Sequence, residues 1–298
     1  MQSRLLQSFL AVADNGSVTE AARQLNVSQP ALTKSIQRLE EQLGVSLFDR
    51  ASTGVVLTQY GNILRHHAKL MENEYRHAVT RIEELRDGRS GSIRIGAGPI
   101  WLVAILPPIV ARFQHENPGV SISLVGGVID TLLPDLLAGD LDLICVSLDF
   151  PNRSEIVKRP LIEVQHVLIA DPSHPLSNKS AVKPDAIHHY PWLVLKSDYV
   201  GNERISTFFS NYGLSPPKVS LETTSIHSLL QGLRNGNYIA HIPTQLLPLA
   251  NSMGLNQIRT DETIWETSAG YAYRLAAQPS ASVSMFMERL TAEVPASA

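Results

Sequence analysis

"SVTEAARQLNVSQPALTKSIQRLE", residues 17–40, holds two short helical patterns separated by only a few residues. Ser17 stands where it can cap the first, and Glu20, three residues on, completes a capping box. That helix offers only Ala21, Ala22 and Leu25 to its inner side, and small residues let a neighbouring helix come close. Asn26 tolerates the left-handed backbone needed just past a helix end, and Val27 reads as a plug buried between the two helices. Ser28 caps the next helix, with Pro30 in its first turn, where a missing N–H costs little. There Leu32, Ile36, Leu39 and Leu43 face inward, while Gln29, Thr33, Lys34, Gln37 and Arg38 face out.

Upstream, Leu6, Phe9, Leu10 and Ala13 recur at helical spacing until Asn15-Gly16 stops the pattern. Two helices joined by a short fixed turn, with an outward stripe of Gln, Thr, Lys and Arg, describe a helix-turn-helix. Those side chains suit the major groove: Gln pairs with adenine, Arg and Lys with guanine or phosphate, and Thr with a base or a thymine methyl. A compact helical bundle with a solvated polar face has the same periodicity. "LFDRASTGVVLT", Leu47–Thr58, adds two short strands around Ser52-Thr53-Gly54, a β-wing beside the third helix.

Three runs, "FLAVADNGS" (9–17), "AARQLNVSQPALTKSIQRLEEQLGVSLFDR" (21–50) and "LTQYG" (57–61), carry a family resemblance. Residues 1–60 resemble the winged helix-turn-helix of LysR-type transcriptional regulators, and the chain length fits that family throughout. The resemblance implies a recognition helix that places Ser28, Gln29, Pro30, Ala31, Thr33, Lys34 and Arg38 at or near double-stranded DNA, with Arg50 at the wing. The wing tip departs from the family, which often carries a basic residue where this chain has Ser52-Thr53-Gly54.

Thr58 opens a long helical pattern that runs to about Asp87. Leu64, Ala68, Met71, Tyr75, Ala78, Ile82 and Leu85 step alternately by four and three, an unbroken heptad seam among polar neighbours. So narrow a seam has little else to bury against than a partner helix, although one helix lying on its own domain is the alternative. The resemblance also implies a coiled-coil homodimer, with dimer and homotetramer both open as the final assembly. "RDGRSGS", Arg86–Ser92, reads as the hinge.

From Ile93 strands and helices alternate, and strands buried on both faces mean parallel α/β sheets. The resemblance implies a periplasmic-binding-protein-like effector domain of two subdomains, with crossings near Leu161–Val164 and Ile264–Ser268. The expected organisation is a mainly α winged helix-turn-helix (1–58), a linker helix for dimerisation (59–87), a hinge (88–92) and an α/β effector-binding domain (93–298). Subdomain I takes 93–162 and 267–298, and subdomain II takes 163–266. Ligands of such sheets bind at carboxyl ends of strands. That rule picks out Gly98, Pro99, Ile100, Trp101, Gly127, Val128 and Ser147 in one subdomain, and Lys196, Tyr199, Thr224 and Ser225 in the other. Hydroxyls, backbone N–H groups and the Lys196 cation suit a carboxylate, and Trp101 and Tyr199 offer flat apolar area, so the expected effector is a small organic acid, aromatic rather than aliphatic. Core packing is the alternative for Trp101, and a solvated surface charge for Lys196. At Tyr238 the family more often has a glycine.

The whole chain bounds these readings. Its 298 residues, 44% hydrophobic and 18% charged, allow two or three globular domains. Residues 1–70 carry seven Lys/Arg against five Asp/Glu, and residues 91–298 fourteen against eighteen, so the positive bias lies with the DNA-reading segment. Gln2, Ser3 and Gln7 fall where a signal peptide would be apolar, and the run Ile100–Ala111 is broken by Pro107-Pro108, too short to span a bilayer. A cytoplasmic protein with no membrane partner is expected. Cys145 is the one cysteine and reads as a small buried side chain. No enzyme signature stands out: "GAGPIW" has Trp101 where a dinucleotide loop has its third glycine, and there is no G-x-S-x-G elbow. The adjacent pairs His66-His67 and His188-His189 lack metal-ligand spacing, so neither cofactor nor metal is expected, only a small-molecule effector. Residues 91–298 alone would also read as a solute-binding protein; a third reading, an effector-independent DNA-binding protein, leaves the large two-lobed body without a role. For a regulator the partners are promoter DNA with an inverted-repeat-like site, the effector and a second copy of the chain, with RNA polymerase as a further candidate.

Overall fold

The structure, a computed structural model, describes residues 4–51, 54–87, 91–196, 198–234, 236–261, 264–275 and 278–294. The chain forms two compact units, Met1–Thr80 and Arg81–Ala298.

In the first unit α1 (Arg4–Asn15) ends at Gly16, whose φ is +60°. Before α2 (Val18–Gln24), the Ser17 hydroxyl accepts the Glu20 N–H at 3.4 Å. The reciprocal half of the expected capping box is not made, because the Glu20 carboxylate takes the Arg23 guanidinium at 2.7 Å instead. Asn26 adopts φ 53°, the left-handed turn expected of it. Ser28 then caps α3 (Gln29–Leu43), accepting from the Ala31 N–H, and such caps contribute roughly 0.5–2 kcal/mol. Phe9, Leu10, Val12, Ala21, Ala22, Leu32, Ile36 and Leu39 form the core.

Two inward assignments fail. Val27 is 45% exposed, since the turn is closed by its backbone N–H donating to Ala22 O (3.0 Å) and not by its side chain. Leu43 is 48% exposed, one residue before the left-handed Gly44 and past the packed layer. A contact absent from the sequence reading joins helix to wing: the Glu40 carboxylate accepts the N–H groups of Leu47 (2.7 Å) and Phe48 (3.4 Å). The wing is the antiparallel pair β1 (Phe48–Ala51) and β2 (Gly54–Leu57); its tip residues Ser52 and Thr53 lie outside the described residues.

Helix α4 (Gln59–Asp87) begins where the Thr58 hydroxyl accepts the Gly61 N–H at 3.1 Å. Leu64 and Ala68 of the heptad seam close onto the core of the first unit. Met71, Tyr75, Ala78, Ile82 and Leu85 are exposed in the single chain. Of the expected hinge, Gly88–Ser90 lie outside the described residues, and Gly91 and Ser92 already belong to a strand.

The second unit continues with β3 (Gly91–Ala97), a π-helical turn (Trp101–Ile105), α5 (Leu106–Glu116), β4 (Val120–Gly126), α6 (Ile129–Ala138) and β5 (Leu143–Ser147). The wide turn has a covalent cause. Pro107 and Pro108 carry no N–H, and the Leu106 N–H reaches back five residues to Trp101 O. Next come β6 (Ile156–Ala170), α7 (Pro184–His188), β7 (Trp192–Leu195), α8 (Tyr199–Ser210), β8 (Val219–Thr223) and α9 (Ile226–Leu233). The chain closes with β9 (Ala240–Pro243), α10 (Leu247–Ser252), β10 (Asn256–Ile258), β11 (Glu266–Arg274) and α11 (Ala281–Glu293). Glu84 of α4 accepts from the Ala281 N–H (3.1 Å) and the Ser282 hydroxyl at the start of α11, anchoring the linker helix's end.

Parallel pairing holds for β4–β3–β5 and for β7–β8. Elsewhere the all-parallel expectation is corrected, because the two strands that cross between subdomains run in opposite directions. β11 is antiparallel to β5 and to β6, and β6 leaves β11 after Gln165 to pair with β9 and β10. At the bulge between Ala269 and Gly270 the strands come so close that a Cβ on Gly270 would lie 2.0 Å from Arg159 O. One subdomain's core packs Phe113 edge-on to Phe286 (5.1 Å) around fully buried Ile93, Ile95 and Cys145. Burial pushes the Cys145 thiol up, which keeps it inert. The other core packs Trp192 edge-on to Phe209 (5.7 Å).

Candidate nucleic-acid interface and ligand cavity

Helix α3 carries Gln29, Pro30, Ala31, Thr33, Lys34, Gln37 and Arg38 on its exposed side, opposite buried Leu32, Ile36 and Leu39. Ser28 is engaged as the N-cap. Lys34 and Arg38 enter no ion pair among the described residues, so both cations are open to phosphate or base. Arg50, also exposed, sits on β1 opposite Val55. Helix and wing thus offer donors and cations from adjacent elements, held together through Glu40.

Between the two subdomains of the second unit lies a cavity of about 120 Å³, far above the roughly 10–15 Å³ that one water needs. Gly98, Pro99, Ile100, Trp101, Val128 and Ser147 line it. Trp101 answers both of its readings: it is fully buried in the core and also lines the cavity, its indole N–H without an acceptor among the described residues. Four expected residues, Gly127, Lys196, Thr224 and Ser225, do not line it. Gly127 is a packing glycine, where a Cβ would lie 2.6 Å from the Thr131 hydroxyl. Lys196 and Thr224 are exposed, and the Ser225 hydroxyl caps α9 by accepting the Ser228 N–H at 3.3 Å. Tyr199 opens α8, and its side chain lies outside what is described. The carboxyl end of β7 does reach the cavity, where Leu195 lines it and α8 follows with Asp198 and Arg204, but the Lys196 and Thr224 side chains are exposed and the Ser225 hydroxyl is engaged as a cap. Tyr238, at the family's glycine position, lies against Gly236 and packs on the second subdomain's core, away from the cavity.

The wall holds polar residues that strand-end reasoning missed. His166 of β6 and His241 of β9 meet with their Nδ1 atoms 3.2 Å apart. Trp265 stacks on His166 (5.2 Å, 27°) and lies 4.9 Å from the His241 ring. Burial pushes His241 down to about 4; burial, then the neighbouring His241 and Arg204, holds His166 well below the usual imidazole range. Arg204 of α8 also lines the cavity and pairs with Asp149 of the other subdomain at 2.8 Å. Asp198, the N-cap of α8, accepts the Gly201 N–H at 3.0 Å; burial raises its carboxyl, with the charge of Asp130 adding to the shift. The available signal was a lone histidine in each of two apolar strands, "VQHVLIA" (164–170) and "IAHIP" (239–243). Among the described residues no group of three or more His, Cys, Asp or Glu could hold a metal ion, and no helix is long and apolar enough to cross a membrane.

Fold and sites together define a winged helix-turn-helix protein with a two-subdomain small-molecule-binding body. A family model described as a bacterial regulatory helix-turn-helix protein of the lysR family matches residues 3–62, and one described as the LysR substrate binding domain matches residues 86–295. The chain belongs to the LysR family of transcriptional regulators. It is 31% identical over 290 residues to the HTH-type transcriptional regulator PcaQ of Agrobacterium fabrum, covering 96% of this chain and 93% of that protein. It is 28% identical over 283 residues to the regulator CfxR of Cupriavidus necator, covering 92% and 87%. Among solved structures it is similar to CbnR, a LysR family transcriptional regulator (TM-score 0.72, 20% identity, 99% of each chain), and to full-length CbnR complexed with its target DNA (TM-score 0.69, 21% identity, 97% and 99%). The relatives so named are transcriptional regulators.

Proposed function

We propose that this chain acts in the cytoplasm without enzymatic activity or cofactor, and that a small aromatic acid in the cavity between its subdomains changes how it engages promoter DNA. The observation that carries the reading is the cavity itself: apolar side chains and the stacked rings of Trp265 and His166 give it flat walls suited to an aromatic ring. The Asp149–Arg204 pair joins the two subdomains across this site, so a ligand that alters their closure works against a defined contact. Gln29, Thr33, Lys34 and Arg38 read the major groove, with Arg50 of the wing at the backbone. The exposed seam of Met71, Tyr75, Ala78, Ile82 and Leu85 pairs with a second copy, and the homodimer, or a tetramer of two, reads an inverted-repeat-like site beside RNA polymerase.

Calorimetry on the full chain against aromatic acids, aliphatic acids and neutral sugars tests the ligand class. Aromatic acids are expected to bind, and to change the footprint on a DNA site selected by the protein. Binding by sugars alone overturns the acid.

A further inference from the structure

Arg204 is the one residue of the cavity wall, among the described residues, that carries a full positive charge at neutral pH. The two imidazoles do not, because burial keeps both uncharged. Two observations turn the guanidinium toward the cavity: it lines the wall, and after burial and His241 its charge is the further cause that lowers His166. Its side chain is 43% exposed, so it stands at the mouth, with the Trp265–His166 stack behind it. Its hold on Asp149 is narrow. Nη2 donates to Oδ2 at 2.8 Å, and the N–H groups on Nε and Nη1 have no acceptor among the described residues. Asp149 follows β5 and does not itself line the cavity. Lys158 brackets it, donating to the carbonyls of Leu148 and Phe150 on either side. Burial lowers the Lys158 ammonium and the charge of Asp149 opposes that shift, so the two charges are neighbours.

Resting on the aromatic-acid reading, we propose that Arg204 anchors the acid's carboxylate, and that the acid takes the guanidinium by exchange, displacing Asp149. One guanidinium balances one carboxylate. A second carboxylate beside Asp149 would put two negative charges on one cation at the edge of a low-dielectric cavity, with the Asp198 carboxyl in the same wall. The exchange avoids this. The acid approaches the open N–H groups first, and Asp149, once released, keeps Lys158 as its neighbouring cation. Being partly exposed and made through one contact, the pair gives way at little cost. The ring of the acid lies inward, against Trp265 and His166. Arg204 belongs to α8 in one subdomain and Asp149 follows β5 in the other, so binding cuts an ion pair that ties the two together. A neutral analogue brings the ring but not the exchange.

The test is calorimetry of the full chain with sodium benzoate, and with benzamide as its uncharged analogue. Benzoate is expected to bind more tightly than benzamide. Arg204→Gln, checked for a native melting transition, is expected to weaken benzoate about tenfold or more and to leave benzamide unchanged. Asp149→Asn is expected to tighten benzoate about two- to fivefold, again with benzamide unchanged, and it tests the exchange even if Arg204→Gln does not fold. In the double variant Asp149→Asn is expected to add nothing to Arg204→Gln. Benzoate that binds Arg204→Gln as well as wild type, held for instance by the Trp101 indole N–H, overturns the anchor. Asp149→Asn that leaves benzoate unchanged or weaker overturns the exchange, as does a tightening that persists without Arg204. Each of these results leaves the aromatic-acid reading standing. If neither probe binds the wild type, both fall together.

Discussion

Helix α3 presents its DNA-facing side chains from one stretch, Ser28–Arg38, whereas the cavity wall is drawn from β5, β6, α8, β9 and the segment just ahead of β11. In the first region a single periodicity decides both what is buried and what is displayed. In the second, function depends on which strands lie side by side, and that is a property of pairing. The lesson is that a surface carried by one element can be read from local order, while a cavity needs the register of distant segments.

The strongest way to break this comparison is to disturb the pairing. Gly270→Ala places a Cβ 2.0 Å from Arg159 O, a backbone atom that cannot swing aside, where the two crossing strands touch. The expected cost is on the order of 3 kcal/mol or more to the C-terminal unit. All three tryptophans, Trp101, Trp192 and Trp265, belong to that unit, so their fluorescence follows its unfolding alone. An unchanged melting curve contradicts the register.

This division explains what the sequence allowed. The caps Ser17, Ser28 and Thr58, the left-handed Asn26 and the buried face of α3 follow from residues within a turn of one another. The errors there, Val27 and Leu43, are end effects: a backbone hydrogen bond replaced a side-chain plug, and a helix terminus outran its partner. In the second unit Gly98–Trp101, Val128 and Ser147 were legible as residues at strand ends. His166 and His241 were not, because they meet only through the antiparallel register that sets His166 against Pro243 and Leu168 against His241. Lys196, Thr224 and Ser225 obeyed the same strand-end rule as Ser147, and their neighbours Leu195 and Ile226 do line the cavity, but these side chains are exposed or engaged as a cap.

Next in size is assembly. Met71→Arg puts a charge in the seam opposite its symmetry mate, where it is desolvated and repelled. Loss of the dimer is expected, with loss of specific DNA binding, while the tryptophan-reported melting of the C-terminal unit persists. Light scattering at wild-type mass contradicts the seam.

A smaller effect separates two residues on one helix face. Gln29→Ala should cost about 1–3 kcal/mol and relax preference at one base pair. Lys34→Ala should weaken all sequences alike and flatten the salt dependence. Binding isotherms at several salt concentrations distinguish them, and identical behaviour of the two variants contradicts a division between base and phosphate. The smallest expected effect sharpens the other side of the comparison. Thr224→Ala, exposed and off the cavity, should leave benzoate affinity and the melting curve unchanged within about 0.5 kcal/mol. A loss of benzoate binding brings Thr224 into the ligand site after all.

The central claim is that α3 reads DNA sequence on behalf of a symmetric pair. The most direct measurement selects genomic DNA fragments with the purified full chain, then footprints the selected fragment with wild type and with Gln29→Ala. The account predicts two protected half-sites in inverted orientation, separated by one helical turn of about 10–10.5 base pairs or a multiple of it, and weakened protection centred on one base pair of each half-site in the variant. Fragments bound with no sequence preference, or a footprint identical in Gln29→Ala, contradict it.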